Sequence, residues 1–182
     1  QVNGGANLTI NNITVRNGKA FGGGGILNAG TLTMTNCTVS GNRADVGDGG
    51  GIFNQGMLTM TNCTVSGNSA PSFSGGVGGG IFNQGMLTMT NCTVSGNSAG
   101  SGGLGGGGIA NGGTLTMTNC TVSGNSAPAG GLGGGIFNDG TVNARNTIIA
   151  NNSASFAPDF SGTLTSQGYN LIRNTSGMSG TV

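Results

Sequence analysis

The chain has no histidine, no glutamate and no tryptophan, a single tyrosine, three prolines, and charged side chains at only 5% of its 182 positions. Each scarcity removes a class of function. A formal net charge of +1 leaves no electrostatic footprint for nucleic acid or an anionic membrane. With Tyr169 as the lone tyrosine and no tryptophan, no stacking platform for bases or sugars is visible. Hydrolases of sugars need paired carboxylates at a cleft. The acids here are Asp45, Asp48, Asp139 and Asp159, of which only the first two share a loop. Lacking a compact acid–base cluster, the sequence predicts no enzyme, no metal centre and no cofactor. No stretch approaches the ~20 apolar residues of a membrane helix. Gln1 opens neither a basic segment nor an apolar run, so no signal peptide is expected here. Low charge with abundant Thr, Asn, Ser and Gly suits an extracellular or cell-surface setting.

What the chain has instead is repetition. Thr35-Asn36-Cys37-Thr38-Val39-Ser40-Gly41-Asn42 returns unchanged at 61–68, 90–97 and 118–125. A glycine run and an isoleucine precede each copy, at Ile26, Ile52, Ile81 and Ile109, with a fifth at Ile136. Those isoleucines are 26, 29, 28 and 27 residues apart. A period of that size signals a solenoid. The 42 glycines follow the period, so they read as turns and close packing rather than disorder. Within a repeat, Met57-Leu58-Thr59-Met60-Thr61 alternates with period two, the mark of a half-buried strand. The expected fold is all-β: a right-handed parallel β-helix with three short strands per coil of 26–29 residues. One domain spans 1–182. It comprises a partial first coil (1–22), near-identical coils at 23–48, 49–77, 78–104 and 105–132, and a degenerate last coil with a tail (133–182).

Stacked coils turn repeats into columns. Leu32, Leu58, Leu87 and Leu115 form one inward column, the methionines from Met34 a second, and the valines from Val39 a third. Cys37, Cys63, Cys92 and Cys120 form another. Zinc wants ligands converging tetrahedrally, and a column offers a line. Disulfides between neighbouring coils are geometrically allowed at ~4.8 Å, but free buried thiols acting as small hydrophobes are the favoured reading. Asn36, Asn62, Asn91 and Asn119 recur at one corner, flanked by columns starting at Asn28 and Asn42. Asparagine tolerates left-handed corners, and stacked amides bond along a ladder. On the outer face, Phe53, Phe82 and Phe137 share a ridge with Leu27 and Ala110. Such a ridge is covered by loops or used for lateral contact. Outward threonines such as Thr59/Thr61 and Thr88/Thr90 form a two-column array resembling the lattices of ice-binding solenoids.

The Gly-Gly-Gly-Ile runs resemble the Gly-Gly-Ala-Ile signature of chlamydial polymorphic outer-membrane proteins. Val39-Ser40-Gly41-Asn42 stands where those repeats carry Phe-x-x-Asn. From about residue 7 to residue 172 the chain looks like the repeats of bacterial surface proteins with a pectate-lyase-like right-handed β-helix. The resemblance implies that fold and a surface setting, as in adhesins and autotransporter passengers. The family's membrane barrel has no counterpart in this sequence.

These features predict a secreted structural protein, the subunit of an extracellular filament formed by head-to-tail stacking of copies. Its contacts are expected from Leu8, Ile10, Ile13 and Val15 in the first half coil, and from Leu164, Tyr169, Leu171 and Ile172 in the tail. The alternative is an adhesin-type or passenger-type binding module that meets cell-surface or matrix components through loops 43–48, 69–78, 100–104 and 126–132. Ice binding is a third and lesser reading.

Overall fold

The computed structural model describes residues 1–71, 77–100, 105–127 and 130–181. Within one coil, local chemistry dictates each segment. In Met86–Thr90, Leu87 and Met89 turn inward and are buried, while the residues between them face out. Asn91 then bends the chain with φ 54, conformational space that asparagine enters more readily than most residues. The strand Thr93–Ser95 buries Val94. Gly96, at φ 63, makes the next corner, followed by the two-residue strand Ser98–Ala99. A glycine-rich return leads to Ile109–Asn111 and the next coil.

A full turn therefore carries strands of three, five, three and two residues, forming four walls. The two-residue wall adds to the three strands expected from sequence. It is too short to reveal itself by alternation. Equivalent strands pair in parallel and in register: Ile81 lies beside Ile52 and Ile109, and Leu87 beside Leu58 and Leu115. The turns number about six, at about 27 residues each. No helix occurs among the described residues. The long strand Phe160–Ser166 pairs with both the first and second walls and joins them into one sheet.

The core is the stack of inward columns. Leu, Met, Cys and Val at the expected positions of the four near-identical coils are at most 2% exposed. The glycine run closes the coil where two stretches of backbone almost touch. Gly78 turns at φ +67, and a Cβ on Gly79 would lie 2.3 Å from the carbonyl carbon of Ser98 and 2.5 Å from the carbonyl oxygen of Gly107. A Cβ on Gly80 would press on the Asn97 side-chain amide at 2.9 Å. Three successive glycines thus meet three separate demands: a left-handed turn, a backbone approach and room for an amide.

At the N-terminal end, the edges of three walls are Asn7–Asn11, Thr14–Arg16 and Lys19–Ala20. The first wall begins with a single bridge from Val2 to Asn28. At the other end, Ser153–Ala154 and Leu171–Ile172 are edges, and Met178–Thr181 pairs onto Phe160–Ser166. That last strand corrects one expectation. Leu164 does not lie at an open edge; it is 2% exposed, because Gly180 pairs beside it. Parts of the loops 69–78, 100–104 and 126–132 lie outside the described residues.

Candidate functional site: amide ladders and end faces

Three asparagine columns run along the rod. In the first, Asn42, Asn68, Asn97, Asn125 and Asn152 each donate Nδ2–H to the Oδ1 of the next coil, at 2.9 Å in every rung. The same oxygen also accepts a backbone N–H, as when Asn68 N donates to Asn97 Oδ1 at 2.9 Å. The second amide hydrogen goes back one coil, from Asn97 Nδ2 to the Val65 carbonyl at 3.0 Å. Each buried corner is thereby satisfied, as such a site requires. A second buried ladder links Asn28, Asn54, Asn83, Asn111 and Asn138 at 2.7–2.8 Å.

The column at Asn36, Asn62, Asn91 and Asn119 also forms a ladder, extended by Asn146, with rungs of 2.7–3.1 Å. It differs in two ways. Its side chains are exposed rather than buried, and it donates toward the N-terminal end, against the direction of the other two.

All three ladders stop inside the chain. Gly18 precedes Asn42 and offers only its backbone N–H, 2.8 Å from Asn42 Oδ1. At the far end Asp159 takes the asparagine position. Its Oδ1 accepts both the N–H and the Nδ2–H of Asn152, and its Oδ2 accepts Asn174 N at 2.9 Å. An ionised carboxylate is acceptor-only, so the ladder cannot continue through it. The second ladder ends when Asn138 Nδ2 bonds the Thr163 carbonyl at 2.8 Å, and Gly162 stands next in the column. The exposed ladder ends at Tyr169, which keeps the corner φ of 60 and is 82% exposed. Asn152 was legible in the sequence, since it follows Ile149 as Asn125 follows Val122. Asp159 lies seven residues beyond Asn152 and carries no periodic signal.

The end faces place the remaining candidates. Leu8, Ile10 and Val15 pair with Leu32, Met34 and Val39 and share their inward direction. Leu8 is 45% exposed and Ile13 likewise 45%. Leu8, Ile10 and Val15 border a cavity of about 200 Å³ together with Val2, Ile26 and Leu32. At the C-terminal end, Ile172 packs against the core. Leu171, 55% exposed, pairs with Ile148 on the outer face of the third wall. Leu171 and Tyr169 therefore look sideways, not along the axis.

A description of the family as a right-handed beta helix region fits residues 1–109 and again residues 26–179. The chain belongs to the right-handed beta helix family. No curated protein and no solved structure matches it.

In this right-handed β-helix the cysteine column is hydrogen bonded, not cross-linked. All four thiols are free and 2% exposed. Cys92 Sγ lies 3.3 Å from the Thr90 carbonyl and 3.5 Å from the Met60 carbonyl, and accepts Cys63 N–H at 3.4 Å. Its contact with Cys120, then burial, push the Cys92 thiol up to about 11. Contact with Cys92, then burial, raise Cys63 as well, while the contact with Cys92 holds the Cys120 thiol below its ordinary value. A raised acid contributes stability that is complete below its unfolded value near 9 and is lost as pH climbs through the folded one. Native protein at pH about 8 should leave a thiol reagent unconsumed, and unfolded protein should consume four equivalents. The transition midpoint should fall between pH 9 and about 11. Rapid native-state labelling would contradict the buried column.

The carboxylates of the β-helix serve separate local contacts. Asp45 meets Arg43 at 2.7 Å and Lys19 at 3.2 Å; the Arg43 hydrogen bond leads in holding its carboxyl below the usual range. Asp48 accepts Val77 N at 2.9 Å, and burial pushes its carboxyl up. Among the described residues no three metal-ligating side chains converge. The outward threonines stand in register, as Thr59 beside Thr33 and Thr88, but Met57 and Met86 interrupt the adjoining column and are 52% and 55% exposed.

Proposed function

We propose that this β-helix is a secreted structural subunit that builds an extracellular filament by stacking end to end. One observation carries the reading: the outermost strands at the two ends belong to the same walls. Asn7–Asn11 and Met178–Thr181 bound the second wall, Thr14–Arg16 and Leu171–Ile172 the third, and Lys19–Ala20 and Ser153–Ala154 the fourth. A second copy set head to tail meets like walls with parallel strands, and such heterologous contacts give open filaments. Leu8, Ile10, Ile13 and Val15 would lose their exposure at the joint. Burying a large aliphatic side chain stabilises by roughly 1.5–3 kcal/mol. Since every amide ladder stops within the chain, the joint holds backbone bonds and apolar contact only. It is therefore weaker than an internal rung and reversible on dilution. This role asks for no catalytic group, metal or cofactor.

Sedimentation across a wide concentration range, with electron microscopy, tests the proposal. The expected result is mass that rises with concentration, thin rods, and loss of both in Leu8→Lys and Ile13→Lys proteins that stay folded by circular dichroism. Mass that stays at one chain throughout, or rods indifferent to those substitutions, removes the filament. A second reading, a bounded adhesin-type module acting through its sides, is favoured by the Met178–Thr181 strand and the Asp159–Asn174 closure at the C-terminal face.

A further inference from the structure

Two coils carry the same residues from the glycine run to the fourth wall: 49–70 and 78–99 are identical. Each contains Met-Leu-Thr-Met, so one strand holds two methionines three positions apart. The pleat turns them to opposite faces. Met57 and Met86 face out and are 52% and 55% exposed, while Met60 and Met89 face in and are 0% exposed. Met57 and Met86 pair in register, on the third and fourth strands of the second wall. Their outward column is polar in the other coils: it reads Asn7, Thr31, Met57, Met86, Thr114 and Thr141. Two thioethers thus stand in water where the fold elsewhere places an amide or a hydroxyl.

Most of the remaining sulfur is shielded. Met34, Met60, Met89 and Met117 are 0% exposed and the four thiols 2%; Met178 is half-buried against the core. The same two coils stack Phe53 on Phe82, ring centroids 5.1 Å apart, and Phe137 lies two rungs beyond Phe82, past Ala110. Those outward rings are half-buried and offer no lone pair, whereas a thioether sulfur does and is readily converted to a polar sulfoxide. On the inner face such an oxygen would be buried among apolar columns, where an unpaired polar group is costly. On the outer face water receives it, and the hydroxyls of Thr31 and Thr114, one rung away on either side, can donate to it.

We propose that Met57 and Met86 form an oxidation site, at which hydrogen peroxide converts both thioethers to sulfoxides and leaves the fold and the buried sulfur unchanged. Each sulfur gives an electron pair to one peroxide oxygen. The S–O bond forms, the O–O bond breaks, and the other oxygen leaves as water with the proton of the first. The step needs no further reactant and no catalytic group. Oxidation removes the apolar break in the column and makes it polar from Thr31 to Thr114. The site is independent of the end-to-end filament, since it lies on the side of the rod.

The test exposes the whole folded chain to excess hydrogen peroxide at neutral pH and follows each methionine by tandem mass spectrometry of its fragments. Met57 and Met86 should each gain one oxygen, at least about a hundredfold faster than Met60 and Met89, which are reached only when the core opens. Protein unfolded in urea should lose that contrast, because the two methionines of a strand then differ little in surroundings. Met57→Thr and Met86→Thr, which restore the residue of the neighbouring coils, assign the two identical segments, and each should take up one oxygen fewer. Protein oxidised at the pair alone should melt within about 2 °C of the parent. Three results overturn the proposal: uptake at Met60 or Met89 as fast as at the outward pair, resistance of Met57 or Met86 in folded protein that reacts once unfolded, or a larger fall in melting temperature when only the pair is oxidised.

Discussion

Replacing Asn97 by alanine is expected to destabilise the protein by about 3–6 kcal/mol. The side chain takes part in four bonds: it accepts from the N–H and Nδ2–H of Asn68 and donates to Val65 O and Asn125 Oδ1. Truncation strands two donors of Asn68 in a corner where Asn68 is 1% exposed. Each stranded buried group costs about 1–3 kcal/mol, and the vacated amide volume adds to that. The loss is a large share of the roughly 5–15 kcal/mol that holds a domain together. Asn91→Ala is the matched comparison. It removes rungs of 3.1 and 3.0 Å from the exposed ladder, but water replaces them, and what remains is the cost of alanine at a corner with φ 54, so the change should stay at or below about 2 kcal/mol. Equilibrium urea unfolding of both variants decides the matter. Equal small losses would mean that the buried ladder contributes no more than a surface corner.

Gly79→Ala should be damaging on the same scale. Its Cβ would sit 2.3 Å and 2.4 Å from the carbonyl carbon and oxygen of Ser98 and 2.5 Å from Gly107 O. All three contacts are with backbone, so no side chain can swing aside. Relief requires separating coils that are joined there by Gly79 N–H to Gly106 O at 3.0 Å. Overpacking of this kind costs typically 1–3 kcal/mol and more where nothing yields. An unfolding temperature lower by at least about 6–12 °C, or a chain that does not fold, is expected. Gly112→Ala, with open space around its new Cβ, should unfold within about 1 °C of the parent. Thermal melts followed by circular dichroism separate the pair. Similar melts would show that the glycine run is dispensable.

What the sequence made legible is what stacking repeats. The period, the inward Leu, Met, Cys and Val columns, the free thiols and the asparagine corners all follow from one residue type recurring at one spacing. What it hid lies outside the period. The Ser98–Ala99 wall is two residues long, too short for alternation to register. Met178–Thr181 contains two small residues and one methionine, with no repeat to align to, so Leu164 was read as an edge when it is interior. Asp159 substitutes a different side chain at an irregular distance. The exposure of the Asn36 column was not foreseeable from identity alone, since the same residue builds buried ladders eight positions before it and six positions after it. Ala110 and Gly112 give the reverse signal: residues that fail to repeat where their neighbours Phe82 and Gln84 do.

The direction of the two buried ladders gives the rod an electrical axis. Each side-chain amide turns its oxygen toward the N-terminal end and its ladder N–H toward the C-terminal end, so their dipoles add along the column as peptide dipoles do along a helix. The exposed ladder opposes them but lies in water, where its field is damped. Asp159 therefore stands at the positive pole of its column, as acidic residues favour the start of a helix. At the negative pole the first coil carries Arg16 and Lys19. A scaffold with almost no charge has placed some of the little it has where its own polarised backbone of amides would attract it.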